Sequence, residues 1–302
     1  MVIVIAGGSG FIGTQLSKKL IDLGHTVVVV DIITPSFVNK ELFFINCDIT
    51  KQPLPYNILE KTDAVINLVG KPINSKWTQK SKIEIAESRI NSTKHIVESI
   101  ASTSIKPSCL ICASAIGYYG DTGDTGDTAV DEKNIKGEGF LAELSSRWED
   151  TAMEAEGLGV RVVCVRTAPV LGNAGILKQL KSIARFGFLL KFKKKDFWMS
   201  WIHEEDIVNT YVFTLETKTV QGVFNASAPE PVTHSYFMRS LSKVLNRRIL
   251  GSIPKFISKK MFGEFFDEIT KNQQVVPSRL LDKGFVFKYP TLSSALNQIF
   301  KK

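Results

Sequence analysis

The chain alternates between short apolar runs and longer segments in which apolar residues recur at helical spacing. Apolar runs that predict buried parallel strands occupy residues 2–6, 26–30, 64–68, 110–113 and 160–165. Helical spacing marks the segment that ends at Gly24 and the segments 83–100 and 140–155. Strands that alternate with helices in this way predict an α/β fold built on a doubly wound parallel sheet.

The first strand runs directly into a glycine-rich turn that is suited to a dinucleotide. Gly7, Gly10 and Gly13 follow the apolar run, and the next helix places Ile12, Leu16 and Leu20 on one face. These glycines allow the tight turn, the approach of phosphates to the backbone and close packing of the helix on the strand. The helix N-terminus stabilises the pyrophosphate charge. We therefore predict a cofactor site that includes Gly7, Gly10, Phe11, Ile12 and Gly13.

The residue that ends the second strand favours one form of the cofactor. Asp31 stands 18 residues after Gly13, next to Ile32. A carboxylate at this point accepts hydrogen bonds from the ribose hydroxyls and repels the extra phosphate of NADP. The sequence therefore favours NAD, with NADP as the alternative. Asp48 and Ile49 follow a further apolar run at 42–45, where the carboxylate could reach adenine or lie solvated in a loop.

Other candidate site residues stand at predicted strand ends. Right-handed crossovers place the carboxyl ends of parallel strands along one edge of the sheet, where ligands bind. The residues at such ends are Leu68, Val69, Gly70, Ser114, Pro169 and Val170. On the helix 83–100, Glu84, Ser88 and Asn91 share one face, so that Glu84 is a further candidate for cofactor contact.

Composition and charge indicate an enzyme-sized chain without a specific macromolecular partner. The chain has 302 residues and a net charge of +8, but its lysines are scattered, and we expect neither nucleic-acid nor membrane binding. The one dense basic run, 191–195, is either a solvated loop or a clamp for a phosphorylated substrate. Three Gly-Asp-Thr units over 120–128 predict an acidic loop rather than a calcium site. We expect a cytoplasmic protein.

The cysteines and histidines predict neither disulfides nor a metal site. Three of the four cysteines, which are Cys47, Cys109, Cys112 and Cys164, fall in apolar segments and indicate reduced, buried thiols. Cys109 and Cys112 are three residues apart in a strand and should face opposite sides of the sheet. The four histidines lack ligand spacing with each other or with cysteine.

These motifs together resemble the extended short-chain dehydrogenases/reductases, and more narrowly their atypical branch of sugar-nucleotide epimerase-like proteins. The similarity includes Gly-Gly-Ser-Gly-Phe-Ile-Gly at 7–13 and Ser-Ala-Ile-Gly-Tyr-Tyr-Gly at 114–120, and it extends through 67–73, 77–78, 88–90, 148–149, 170–172, 201–203 and 276–281. The resemblance implies a Rossmann domain over 1–170, to which 202–227 returns, and a smaller C-terminal α/β substrate lobe over 171–302. It also implies that Pro169 and Val170 lie beside the nicotinamide.

The chain departs from the superfamily at two points. The superfamily uses a tyrosine as general base, a lysine four residues later that lowers its pKa, and a serine or threonine that orients the substrate. Counted from the strand end at Ser114, the first two positions fall at about Phe140 and Leu144, which cannot carry or tune a proton. The branch commonly has an arginine after the second strand, suited to NADP, where this chain has Asp31 and Ile32.

Other side chains must then supply any catalysis. Ser114, Tyr118 and Tyr119 are the catalytic candidates, although each tyrosine could instead be packed with its hydroxyl bonded to backbone. Arg89 is a candidate anion contact at the cofactor, and the substrate candidates are Trp77, His203 and Arg279. His203 could equally be a helix-entry residue, because Glu204, Glu205 and Asp206 follow it.

Two functions remain open at this point. The first is hydride transfer or epimerase-like redox chemistry on a small hydroxylated substrate, which could be phosphorylated or nucleotide-linked. The second is a non-catalytic module that binds the cofactor and reports redox state, which would fit the missing tyrosine and lysine. The sequence does not predict the oligomeric state.

Overall fold

The computed structural model describes residues 1–74, 77–123, 129–173, 177, 188–192 and 196–300. Thirteen strands lie in these ranges. They are β1 (Val2–Ala6), β2 (Thr26–Asp31), β3 (Leu42–Asn46), β4 (Ala64–Asn67), β5 (Cys109–Ala115), β6 (Arg161–Thr167), β7 (Val170–Leu171), β8 (Phe188–Phe192), β9 (Trp198–Met199), β10 (Ile202–His203), β11 (Gly222–Ala226), β12 (Val232–Thr233) and β13 (Arg248–Ile253).

Ten α-helices occur in the same ranges. They are α1 (Phe11–Asp22), α2 (Tyr56–Leu59), α3 (Gln79–Ser102), α4 (Phe140–Met153), α5 (Glu204–Glu216), α6 (His234–Leu245), α7 (Lys255–Phe262), α8 (Glu264–Ile269), α9 (Ser278–Asp282) and α10 (Leu292–Phe300). Two 3₁₀ turns, Ile116–Tyr119 and Glu154–Leu158, follow β5 and α4.

The central sheet has seven parallel strands in the order β11-β6-β5-β4-β1-β2-β3. Chain order reverses between β1 and β4, and a crevice opens at the carboxyl ends of strands at such a point. The predicted α/β fold with a doubly wound parallel sheet is confirmed.

Alternate residues of the strands enter two separate cores. Ile3 and Ile5 of β1 pack in the core on one face of the sheet, together with side chains of α1 and α5. Val4 and Ala6 pack in the core on the other face, together with side chains of α3 and α4. Because both faces are covered by helices, the strands are apolar on both sides, which explains their near-continuous apolar runs.

The C-terminal part of the chain contributes to both the sheet and a separate core. Strand β11 pairs in parallel with β6 at the edge of the central sheet. Three two-stranded ladders, β7 with β10, β9 with β12 and β8 with β13, lie outside that sheet. Leu241, Leu292 and Leu296 belong to a further core formed largely by α6 and α10. The division at residue 170 stays an interpretation.

The cysteines lie as the strand pattern predicts. All four are buried and free. Cys109 belongs to the first core and Cys112 to the second, so the two thiols face opposite sides of the sheet. Burial raises the pKa of Cys109 to about 11 and that of Cys112 to about 12, which keeps both protonated.

Two segments named in the sequence analysis fall partly outside the described residues. These are 124–128 of the Gly-Asp-Thr repeat and 193–195 of the basic run. Within the described ranges, no helix combines the length and apolarity needed to cross a bilayer. In the same ranges, His, Cys, Asp and Glu side chains form no group of three or more that could hold a metal ion.

Candidate functional site

The glycine turn between β1 and α1 has a backbone that larger residues could not adopt. Gly7 has φ +77, and a Cβ on it would lie 2.9 Å from the carbonyl carbon of Leu68. A Cβ on Gly13 would lie 2.6 Å from the carbonyl oxygen of Gly7. Gly10, the N-cap of α1, has no side chain to cap the first amides of the helix. This arrangement is a cradle that fits an anionic phosphate group.

A cavity of about 430 Å³ extends from this cradle along the carboxyl ends of β1, β4 and β5. Ten of the predicted site residues line it, which are Gly7, Gly10, Phe11, Ile12, Gly13, Leu68, Val69, Gly70, Arg89 and Ser114. Asn67, buried at the end of β4, accepts a hydrogen bond from the Val69 amide at 3.1 Å and fixes the start of the following loop. The structure therefore brings the predicted strand ends and the glycine turn together.

Arg89 places a cation in the wall of this cavity. Its Nη1 donates to the carbonyl oxygens of Lys71 and Ile85, both at 3.0 Å, and its guanidinium lies 5.2 Å from the Trp148 ring. A Cβ on Gly70 would come within 2.9 Å of the Arg89 Cζ, so a larger residue there would displace the guanidinium. Burial lowers the pKa of Arg89 to about 10, which leaves it charged at neutral pH. The site can thus hold an anion.

Asp31 supports the glycine turn from the end of β2. Its Oδ2 accepts the Ser9 amide at 3.0 Å and its Oδ1 accepts the Ile33 amide at 3.1 Å. Each oxygen keeps a lone pair for a further donor. The next residue, Ile32, is 62% exposed.

Asp48 and Glu84 are bonded to nearby residues of the chain. Asp48 accepts the Thr50 hydroxyl at 2.6 Å, and this bond together with Lys51 lowers the pKa of the carboxyl. Its neighbour Ile49 is buried. Glu84 pairs with Lys71, while Ser88 accepts the Lys71 amide at 2.9 Å. The last two contacts attach the loop after β4 to α3.

A second cavity, of about 350 Å³, adjoins the first. Ile73, Ala115, Leu141 and Thr167 line both cavities, so the two form one continuous cleft. Pro169 lines the second cavity, as do side chains of β9 and α8. Val170, which forms β7 with Leu171, is half-buried and packs against the first core.

Helix α4 contains Phe140 and Leu144, the positions at which the sequence predicts the superfamily's tyrosine and lysine. Phe140 turns away from the cleft and packs edge-on against Trp77, with ring centroids 5.2 Å apart. Leu141 lines both cavities, and Leu144 and Ser145 line the first. Of the two positions counted from the sequence, Leu144 therefore lines the cleft and Phe140 packs outside it. The pair four residues apart that faces the cleft is Leu141 and Ser145.

Ser114 belongs to a buried polar network beneath the cleft. It lies directly beside Arg166 in the β5–β6 ladder. The Ser114 hydroxyl donates to Glu149 Oε1 at 2.6 Å, and Arg166 Nε and Nη2 donate to the Glu149 carboxylate at 2.8 and 2.7 Å. Burial alone would lower the pKa of Arg166, but its bonds to Glu149 outweigh burial and raise it. The guanidinium thus stabilises the charge of Glu149.

The two tyrosines take part in this network on the side away from the cleft. The Tyr119 hydroxyl accepts from Arg166 Nη1 and donates to Asn225 Oδ1, both at 2.9 Å. Burial raises the pKa of Tyr119 to about 12. The Tyr118 ring lies against the guanidinium, with its centroid 3.3 Å from the Arg166 Cζ. Neither tyrosine lines either cavity, and this geometry disfavours them as proton carriers.

The three substrate candidates are bonded within the protein and line neither cavity. Trp77 donates from Nε1 to the Ile73 carbonyl at 2.9 Å and packs on Phe140. Arg279 donates to the carbonyl oxygens of Val223 and Gln221 at 2.7 and 2.8 Å. These contacts favour structural roles for both residues.

His203 caps the N-terminus of α5. Its Nδ1 accepts the Glu205 amide at 3.1 Å, and its Nε2 lies 3.0 Å from the Gln298 Oε1. These partners require a neutral ring with its proton on Nε2. Burial lowers the pKa of His203, in agreement with that neutral form. The helix-entry interpretation is the one that fits this geometry.

Sequence reasoning assigned no role to Glu149 or Arg166. Glu149 lies on a helix face with the apolar Trp148 and Ala152, and Arg166 lies in the apolar strand β6. Opposite charges within two apolar patterns are a signal for a buried pair. The pairing itself depends on the order of strands in the sheet.

Comparisons with known proteins agree with the geometry. The sequence profile described as "NAD dependent epimerase/dehydratase family" matches residues 3–227, and "Domain of unknown function (DUF1731)" matches residues 253–299. Epimerase family protein YfhF of Bacillus subtilis is 32% identical over 301 residues, covering 99% of this chain and 98% of that protein. The chloroplastic SDR39U1 homolog of Arabidopsis thaliana is 33% identical over 309 residues, covering 100% of this chain and 87% of that protein.

Solved structures give the same result. Human epimerase family protein SDR39U1, crystallised with NADPH, has a TM-score of 0.86 and 26% identity, and each chain covers 100% of the other. UDP-glucose 4-epimerase of Thermotoga maritima, crystallised with UDP-glucose, has a TM-score of 0.79 and 17% identity, covering 100% of this chain and 98% of that one. The second likeness shows the fold alone.

Proposed function

The chain belongs to the NAD-dependent epimerase/dehydratase family, and we propose that it transfers hydride between a nicotinamide dinucleotide and a small substrate. The observation that carries this proposal is the continuous cleft. Its first cavity contains the phosphate cradle, and its second adjoins the first at Ala115 and Thr167. A dinucleotide along the first cavity would bring its nicotinamide to that junction.

The first cavity would hold the cofactor in an extended form. Backbone amides at the start of α1 would bind the pyrophosphate, and Arg89 would add a positive charge. Pro169 would lie beside the nicotinamide, as the family resemblance implies. The human relative was crystallised with NADPH. Asp31 supports NAD for this chain, because its carboxylate would repel a 2′-phosphate.

Ser114 is the side chain we assign to the substrate oxygen. Its own proton is bonded to Glu149, so its oxygen can accept a hydrogen bond from a substrate hydroxyl in the cleft. A bound nicotinamide supplies or takes up the hydride. When an alcohol is oxidised, its proton can pass to Ser114 as the Ser114 proton moves to Glu149. Through hydrogen bonds from Nε and Nη2, Arg166 holds the Glu149 carboxylate in place to accept that proton.

The test compares two serine-to-alanine variants at opposite ends of one strand. Ser114→Ala should lower kcat by about 100-fold, the usual scale for proton-transfer groups, and leave cofactor affinity unchanged. Ser108→Ala, exposed just before β5, should leave kcat unchanged. The rate is followed by the absorbance of reduced nicotinamide with a panel of alcohols and carbonyl compounds. Equal rates in Ser114→Ala and the unmodified protein would contradict the assignment.

The alternative function is a non-catalytic redox sensor. The observation in its favour is that the described residues of α4 that line the cleft, which are Leu141, Leu144 and Ser145, include neither a tyrosine nor a lysine. A sensor must bind oxidised and reduced cofactor with unequal affinity, since only such a difference can shift its conformation. No turnover with the whole panel, together with a large difference in affinity between NAD and NADH, would favour the sensor.

A further inference from the structure

The second cavity is the part of the cleft where the proposed substrate would lie, and its walls are largely apolar. Both lobes contribute to these walls. The C-terminal lobe contributes Trp198, Met199, Trp201, Phe237, Phe265 and Ile269. Trp201 and Phe237 are among the most deeply buried side chains of the molecule.

Among the described residues of this lining, the hydroxyl and amide side chains already have partners within the protein. The Ser200 hydroxyl lies 2.8 and 3.0 Å from the carbonyl oxygens of Gln273 and Val275, which share its one proton, and it accepts the Val275 amide at 2.8 Å. Gln273 donates to the Gly120 carbonyl at 3.2 Å, and Thr167 donates to the Val165 carbonyl at 3.2 Å. The two hydroxyl protons are not available to a ligand unless an internal bond breaks, whereas Gln273 keeps a second amide proton.

The charged residues among the described lining residues form one ion pair. Lys271 Nζ lies 2.8 Å from Glu268, and the two side chains are 17% and 10% exposed. The pair is close to neutral as a unit, and it can offer a hydrogen bond to one polar group at the edge of the cavity. It does not provide the uncompensated positive charge that a diphosphate needs.

We infer that the reacting end of the substrate is an apolar ring or branched acyl chain that bears a single carbonyl or hydroxyl oxygen, rather than a sugar. This inference rests on the proposed function. A pyranose carries a hydroxyl on most of its carbons, and in this cavity most of those groups would lose water without gaining partners among the described lining residues. In the reducing direction the carbonyl carbon takes the hydride of the reduced nicotinamide. The carbonyl oxygen takes one proton, supplied through Ser114 and replaced from solvent.

A competition experiment on the unmodified protein with saturating NADH tests this substrate class. The probe is prodan, a naphthyl ketone whose fluorescence shifts to the blue in apolar surroundings. We expect prodan to bind with a blue shift, decalone to displace it, and UDP-glucose to leave it bound. Displacement by UDP-glucose but not by decalone, or the absence of prodan binding, would overturn the inference. Failure of NADH itself to bind would instead contradict the proposed function.

Two isoleucine variants locate the probe. Ile269→Asp places a carboxylate in the second cavity and should weaken prodan binding by more than about tenfold. Ile257→Asp makes the same change on α7 at a side chain that is 38% exposed and lines neither cavity, and it should leave prodan affinity unchanged. NADH affinity should be the same in both variants. Equal prodan affinity in the two variants would overturn the inference. If Ile269→Asp does not fold, the competition on the unmodified protein still decides.

Discussion

Asp31 has a structural role, and we propose that it also contacts the cofactor. Its carboxylate holds the Ser9 and Ile33 amides, and these bonds fix the glycine turn against the end of β2. The remaining lone pairs can accept the ribose hydroxyls of the adenosine half. A negative charge in this position selects by repulsion as well as by attraction.

We predict that the chain binds NAD(H) more tightly than NADP(H), and that Asp31→Asn reduces this preference by about tenfold, equivalent to about 1.4 kcal/mol. The amide removes the repulsion of a 2′-phosphate while keeping one acceptor for the backbone. Titration calorimetry with both cofactors measures the preference. Asp22→Asn, an equal change of charge at an exposed position near the end of α1, is the control and should retain it. Tighter binding of NADPH by the unmodified chain would contradict the prediction.

At the level of elements, the sequence predicts strands and glycine turns better than it predicts which helix side faces the cleft. The apolar run at 2–6 and the observed strand Val2–Ala6 coincide, because a strand buried on both faces leaves a continuous signal. Helix α4 begins at the predicted residue 140. Its orientation depends on contacts of Phe140 with Trp77, a residue far away in the sequence, and no local pattern contains that information.

The Ser114–Glu149–Arg166 network was unpredictable for a similar reason. Ser114 and Arg166 are neighbours only because β5 pairs with β6 in this register. Glu149 reaches them from α4, where it is 6% exposed. The sequence contains the charges, but their proximity follows from the order of strands and from the packing of α4 on the sheet.

The orientation of α4 leads to a prediction about restoring the superfamily's general base. Phe140→Tyr should give no gain in dehydrogenase activity, because the new phenol would lie against Trp77 and outside the cleft. Its pKa would also remain near about 10 without a neighbouring lysine. The double variant Leu141→Tyr with Ser145→Lys places both groups at positions that line the cleft. Rates of Phe140→Tyr and of the double variant, measured with the panel of alcohols and carbonyl compounds, test this orientation of α4. An equal gain in rate from Phe140→Tyr alone and from the double variant would contradict this orientation of α4.

At the scale of the whole molecule, the two parts of the cleft depend on different segments. Strands β1, β4 and β5 line the first cavity, whereas β9, α6 and α8 form much of the wall of the second cavity. The stability of the C-terminal lobe therefore bears directly on the shape of the second cavity. His234, the first residue of α6, is a buried titratable group in this lobe.

His234 should make the folded state sensitive to acid. Its ring stacks on Phe197 and Phe192, with centroids 4.8 and 5.6 Å apart, and is 8% exposed. Burial lowers its pKa from 6.5 to about 4, with Asp196 opposing the shift and Lys191 adding to it. The unfolded chain therefore binds a proton below pH 6.5 that the folded chain resists until about pH 4. Stability is full above this window and falls as the pH decreases through it.

We predict that the free energy of unfolding falls by about 3 kcal/mol more between pH 7 and pH 4 in the unmodified protein than in His234→Phe. Phenylalanine keeps an aromatic ring between Phe197 and Phe192 but binds no proton. The measurement is urea unfolding at each pH, with unchanged slopes as the check that both proteins unfold in the same way. His95→Gln, on α3 and outside this lobe, is the control and should keep the acid sensitivity of the unmodified protein. If His234→Phe and the unmodified protein lost the same free energy of unfolding between pH 7 and pH 4, other groups would cause the acid sensitivity. Burial of the His234 ring would then contribute none of it.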